Sequence, residues 1–181
     1  MSGRRDPEGR RRAIVEAACA LIPEVGVGGL THRLVAARAG VPLGATTYYF
    51  KTLDDLSEAA LEHIARSSAE DLRAWAEALR GSADVAATVA ALTEEYLADR
   101  PRALAEMELY LAAVHRPELR PLARAWFDGL VDVLGGHAGP VAAKAAAHLV
   151  DGALLHALSN ERPLDTEGLA TALRALLRPA A

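Results

Sequence analysis

The chain is poor in the residues that build sheets, cross-links and metal sites. Aromatic side chains make up 4% of its 181 residues, and cysteine occurs once, as Cys19. β-Branched residues are sparse and no stretch alternates apolar with polar residues for long, which excludes a strand-rich fold. One cysteine cannot close an intrachain disulfide, and no cysteine or histidine cluster has the spacing of a zinc site. No metal and no cofactor is therefore expected. A nucleophile elbow, a phosphate-binding P-loop, a dinucleotide-binding glycine fingerprint and the paired histidines of a zinc protease are all missing, so the chain offers an enzyme no catalytic constellation.

Long hydrophobic runs are scarce as well. Lys144, His148 and Asp151 break the most apolar region, which by that reading stays short of the roughly 18 residues a membrane span needs. Arginines precede the first apolar segment, but Glu16 interrupts it and no small-residue cleavage site follows, so a signal peptide is not expected. The expectation is a cytoplasmic protein with no membrane partner.

What remains is rich in alanine and leucine. Hydrophobic residues make up 51% of the chain, enough for a substantial core, and the fold class this implies is all-α, with about nine helices. The formal charge of −4 conceals an asymmetry: residues 1–51 carry eight basic and four acidic side chains, the remainder twelve basic and twenty acidic. A basic head on an acidic body points to a polyanionic partner at one end.

Periodicity predicts a first helix over 7–24, with arginines at its start. They oppose the helix dipole there, so either a phosphate backbone or plain solvent must answer them. Thr31 reads as the cap of a second helix over 32–39. Gly40 and Pro42 then stop that helix and set up the next, over 43–49, which is the signature of two short helices joined by a tight turn. Thr52, with Asp54 and Asp55 behind it, starts a long helix whose stripe Leu61, Ile64, Ser68, Leu72, Trp75, Leu79 keeps one face buried. Five more helices are expected near 84–98, 102–114, 118–134, 141–159 and 166–177.

The segment 31–56, THRLVAARAGVPLGATTYYFKTLDDL, resembles the DNA-binding segment of the TetR family, and ELYLAAVHRPELRP at 108–121 is similar to the regulatory domain of an actinobacterial-type subgroup. The resemblance implies a helix-turn-helix domain over 1–51 and a ligand-sensing and dimerisation domain over 52–181. It implies a homodimeric repressor that binds double-stranded DNA at a palindromic operator and is released by a small-molecule effector of unknown class. A ligand-responsive activator stays open, since that sign depends on where the operator lies. By position, the base-reading surface falls on Leu43, Gly44, Ala45, Thr47 and Tyr48. Phosphate contacts fall on Thr31, Arg33, Tyr49 and Lys51, with Arg10, Arg11 and Arg12 as an arm. Tyr48 and Tyr49 point about 100° apart on a helix, so one of them is expected to face outward. The chain departs from the family at Thr47, where tyrosine is common, and at Leu53, where lysine is usual. Lys51 stands in for that lysine, or is merely solvated.

In the body, Ala142, Ala146, Val150, Ala153 and Ala157 share one face and Leu169, Leu173 and Leu176 another. The resemblance makes these a four-helix dimer interface, while burial against their own chain is the alternative. The bulky residues Trp75, Tyr96, Met107, Tyr110, Leu111, His115 and Trp126 are candidates for an effector cavity, or plain core. His148 and His156 lie two turns apart, too far to share one metal ion. Glu106 and Glu108 face different sides of their helix.

Overall fold

The computed structural model describes residues 6–160 and 162–177. Among them are nine α-helices and no strand: α1 (Pro7–Val25), α2 (His32–Ala39), α3 (Leu43–Tyr49), α4 (Leu53–Arg80), α5 (Val85–Ala98), α6 (Arg100–His115), α7 (Arg120–Gly135), α8 (Pro140–Asn160) and α9 (Thr166–Leu176). Single 3-10 turns occupy Val27–Gly29 and Pro117–Leu119.

Side-chain caps decide most of the starts. The carboxylates of Asp6, Asp84, Asp99 and Asp165 accept hydrogen bonds from backbone amides three residues on, opening α1, α5, α6 and α9. Because Asp99 is the cap, α6 begins two residues before the expected position, with Pro101 in its first turn, where a missing N–H costs nothing. The 3-10 turn after Pro117 likewise delays α7 to Arg120. Thr52 and Asp55 close a reciprocal capping box at the start of α4.

Two apolar cores run side by side, and α4 belongs to both. The first is built by Ile14, Ala18, Leu21 and Ile22 of α1, Val35 of α2, Phe50, and Leu56, Ala60, Leu61 and Ile64 of α4. Ala105, Leu109 and Ala113 of α6 complete it, with Leu119 and Ala123 beyond. The second holds Leu72, Trp75 and Leu79 of α4 against α5, α7, α8 and α9. Every residue of the expected α4 stripe is buried. The α4–α7 crossing is close enough that a Cβ on Gly129 would stand 2.5 Å from Leu72 Cδ1. Head and body are also joined by a polar link from α6, the Glu108 carboxylate accepting from the Val27 amide at 3.1 Å, and Arg116, just past α6, stands 3.6 Å from Asp54 at the start of α4.

Helix α8 corrects one expectation. Its best 18-residue window has a mean hydropathy of 1.2, so by length and composition it does reach the range of a membrane span. Lys144 and Asp151 do not lower the average enough, because alanine and leucine fill the positions between them. Its face Ala143, Ala146, Ala147, Val150, Leu154, Leu158 is packed into the body core.

Candidate nucleic-acid interface and effector cavity

The short helix α3 is aimed outward by the turn before it. Gly40 takes φ 64°, a left-handed conformation that favours glycine, and its amide and that of Val41 return to the carbonyls of Ala37 and Ala36. Val35 and Ala36 are buried beneath the turn. Thr46 anchors α3 from its inner side, fully buried, with its hydroxyl donating to the Leu43 carbonyl. Leu43, Gly44, Thr47 and Tyr48 are thereby left exposed, while Ala45 and Tyr49 are half-buried against the head core.

The tyrosine pair behaves as its helical geometry requires. Tyr48 is 72% exposed, and the ring of Tyr49 meets it edge-on at 5.2 Å. The ammonium of Lys51 lies 6.0 Å above the Tyr48 ring. The hydroxyl of Thr47 donates to the Gly44 carbonyl at 3.3 Å, on an exposed surface with few other polar groups. Exposed Leu43, Gly44 and Thr47 supply little polar readout, so methyl contacts and DNA shape carry much of any sequence preference this surface has.

Thr31 spends its hydroxyl oxygen on the Leu34 amide, capping α2 while staying exposed. Arg33 is exposed, with no ion pair among the described residues. The arm is heterogeneous: Arg10 is exposed, Arg11 stacks over the Phe50 ring at 5.1 Å, and Arg12 stands 3.6 Å from Glu16 one turn along. Arg38 is tied to Glu24 by two hydrogen bonds, at 2.7 and 2.9 Å, which hold the Glu24 carboxyl below its usual range. Cys19 carries no chemistry here: burial pushes its thiol up to about 12, and it donates to the Ala60 carbonyl.

In the body, an aromatic cluster surrounds two acids. Trp126 meets Trp75 edge-on at 5.7 Å and stacks on Tyr96 at 5.3 Å, and its indole N–H donates to Asp151 at 3.3 Å. Beside it, Ser68, Glu106, Tyr110, Leu122 and Trp126 help to enclose a cavity of about 10 Å³. Burial pushes the carboxyls of both Glu106 and Asp151 up. Of the seven predicted cavity residues, Trp75, Tyr96, Tyr110 and Trp126 belong to this cluster, and Met107 packs half-buried at its edge. Leu111, 60% exposed, and His115, also exposed, do not: they lie on the outer side of α6, and their inclusion is corrected here.

Sequence reasoning missed Glu106 and Asp151. The signal was present, since Glu106 falls within the buried register Ala103, Glu106, Leu109, Ala113 of α6, and an acid at a core position needs a reason.

The expected dimer residues divide. Ala146, Val150 and Leu173 are wholly buried inside their own chain, so they present nothing to a partner, and that part of the assignment is corrected. Their small side chains pack against the body's other helices. Ala153, Ala157 and Leu169 line an open groove of about 550 Å³ between α8 and α9, while Ala142 and Leu176 are half-buried. The outward face of α8 carries Val141, Ala145, His148, Gly152 and Leu155 instead, with Val141 84% exposed.

Comparison with known proteins agrees with both halves. Residues 14–60 match the model described as bacterial regulatory proteins, tetR family, and residues 80–179 match that of the tetracyclin repressor-like C-terminal domain. The HTH-type transcriptional regulator BetI of Cronobacter sakazakii is 28% identical, covering 93% of this chain and 89% of its own length. A TetR-family member from Streptomyces coelicolor A3 is 40% identical with a TM-score of 0.82, covering 93% of this chain and 98% of that one. The multidrug binding protein EbrR, solved with ethidium, is also 40% identical, with a TM-score of 0.80 over 93% of this chain and 99% of that one.

Proposed function

The chain belongs to the tetR family of bacterial regulatory proteins, and from that membership we propose that it is a homodimeric repressor, released from a palindromic operator by a small-molecule effector. Its relatives are transcriptional regulators rather than enzymes, and DNA-binding regulation is the activity of this fold. The observation that carries the DNA half of the proposal is the outward face of α3, Leu43, Gly44, Thr47 and Tyr48, raised on the Gly40 turn in the most basic part of the chain. A helix presented in this way enters the major groove while the flanking groups Thr31, Arg33, Tyr49 and Lys51 and the arm of Arg10, Arg11 and Arg12 grip phosphate. Such a regulator works in the cytoplasm, where the chromosome is.

Dimerisation uses the exposed face of α8 together with the α8–α9 groove, which a second copy fills with the same helices. Two reading helices then stand roughly one turn of DNA, about 34 Å, apart. The effector enters the aromatic cluster of the body. EbrR, which was solved with ethidium, supports a planar aromatic effector for a body of this shape. Effector and operator are coupled only as far as the effector prefers one arrangement of the two heads.

The contact division is tested by salt dependence on operator DNA from the gene's own neighbourhood. Lys51→Ala weakens operator and unrelated DNA alike and lowers the slope of log K against log salt by about 0.9. Tyr48→Ala or Thr47→Ala instead narrows the gap between operator and unrelated DNA, with the slope little changed. An equal loss of slope in all three variants refutes this division, and absence of any specific complex refutes the repressor.

A further inference from the structure

The aromatic cluster of the body contains more carboxyl groups than cations to answer them. Among the described residues, Arg102 is the arginine at this cluster: it ion-pairs with Asp71 of α4, lies 5.8 Å over the Tyr96 ring, and stands 3.9 Å from Glu106 Oε1, an ion pair too long for a hydrogen bond. Asp71 engages Arg102 directly, which leaves Glu106 the longer contact alone, while His148 acts on Asp151 from one turn away on α8. Glu106 is 3% exposed and lines the small cavity, and its Oε1 is buried without a hydrogen-bond partner. The Tyr110 hydroxyl is buried there without a partner as well. Burial of an ionised carboxylate in such a place is costly, which favours the protonated form. Burial pushes the Glu106 carboxyl up, while the nearby Tyr96 and Ser68 side chains and the charge of Arg102 act the other way.

The way in is visible. Tyr110 and Ala123 line both the enclosed cavity and an outer groove of about 340 Å³ between α6 and α7, whose walls include Val114 and Phe127. The closed cavity holds about one water molecule, and a swing of the Tyr110 ring would be needed to join it to the groove.

We propose that an aromatic monocation binds here past Tyr110 and takes the place of a proton on Glu106. This rests on the effector reading above and adds to it the charge of the effector and the exchange that accompanies binding. The Glu106 carboxyl O–H bond breaks, its electron pair stays on the carboxylate, the proton leaves to solvent, and the carboxylate then faces the bound cation. The groups around Glu106 are Cys19 of α1 and His63 of α4, which line a second cavity with it, Ser68 of α4, Tyr96 of α5, Arg102 and Tyr110 of α6, Trp126 of α7 and Asp151 of α8, with Asp71 of α4 reaching Arg102. Of the acids that can exchange a proton, Asp151 has the Trp126 indole N–H as a donor, whereas Glu106 Oε1 has none.

The test is ethidium binding to the full-length protein, without DNA, from about pH 5 to about pH 8. Ethidium keeps its charge across this range, so linkage makes its affinity rise with pH toward tenfold per unit at the acid end, then level off. Glu106→Gln removes the slope and weakens binding at the alkaline end, and Asp151→Asn keeps the slope. A wild-type affinity that varies with pH no more than that of Glu106→Gln overturns the exchange while leaving the effector site standing. A slope lost in Asp151→Asn but kept in Glu106→Gln overturns the assignment to Glu106. Failure of ethidium to bind at any pH overturns the effector site and the exchange together.

Discussion

Gly152→Arg is expected to turn the protein into a well-folded monomer whose affinity for its operator is about 10²- to 10⁴-fold lower. Gly152 sits at the centre of the outward face of α8, and a Cβ built there meets no atom within 4 Å, so the single chain accommodates the new side chain. Arginine is also the better helix former, by close to 1 kcal/mol. The change therefore does nothing to the subunit fold except place a long charged group where a partner helix would approach. Loss of the partner makes the second half-site contact independent of the first, and the effective-concentration advantage disappears. Sedimentation gives the mass, titration of a full palindrome against a half-site gives the affinities, and a helical spectrum identical to that of the parent confirms the fold. A variant that remains dimeric with full affinity places the interface on another face.

The second large effect is on stability. Trp126→Ala removes the ring that stacks on Tyr96 and meets Trp75, and costs about 3–5 kcal/mol. At roughly 2–4 °C per kcal/mol for a chain of this size, the melting temperature falls by on the order of 10 °C, compared at equal protein concentration. Trp126→Phe separates the two roles of the indole. It keeps most of the ring but takes the N–H from Asp151, a loss of about 1 kcal/mol for a part-buried acceptor left without its donor. The sign of its pH dependence follows. A carboxyl raised in the folded state costs stability once the unfolded group ionises, and removing the donor raises Asp151 further. The Phe deficit is thus largest above the folded-state pKa values of both proteins, and its pH-dependent part is gone once the pH falls below the parent's own raised Asp151 value. A deficit constant with pH denies the indole any hold on Asp151. Leu111→Ala, on the exposed side of α6, serves as a control and changes stability by no more than about 0.5 kcal/mol.

The head was legible in the sequence because its structure is local. Thr31, Gly40, Pro42 and Thr52 act on backbone atoms a few residues away, so a cap or a left-handed turn can be read without knowing what lies across the core. Long-range packing has no such signature. Ala142 and Ala146 look alike on a helical wheel, yet the first keeps surface and the second has none, because neighbouring helices from distant sequence cover it. Leu111 and Tyr110 are adjacent and both bulky, but only Tyr110 turns toward α7. Glu106 is hard to read for a related reason: comparison with Glu108, two residues on, says only that the two face different sides, whereas the buried residues about one turn either side, Ala103 and Leu109, place it in the core.

The shared ownership of α4 has a consequence for anyone who recombines regulators of this kind. The expected domain boundary suggests a head that could be cut free near residue 51 and grafted onto another sensor. The first core does not end there: it continues through Leu56, Ala60, Leu61 and Ile64 of α4 and is closed by Ala105, Leu109 and Ala113 of α6. A graft at residue 51 would set a foreign α4 and α6 against the native α1, leaving voids or clashes of the size that unsettle a tightly packed interior. A workable chimera carries the first three turns of α4 with the head and restores the inner face of α6 and the Glu108 contact to Val27. Modularity in this protein belongs to the matched pair rather than to the head alone.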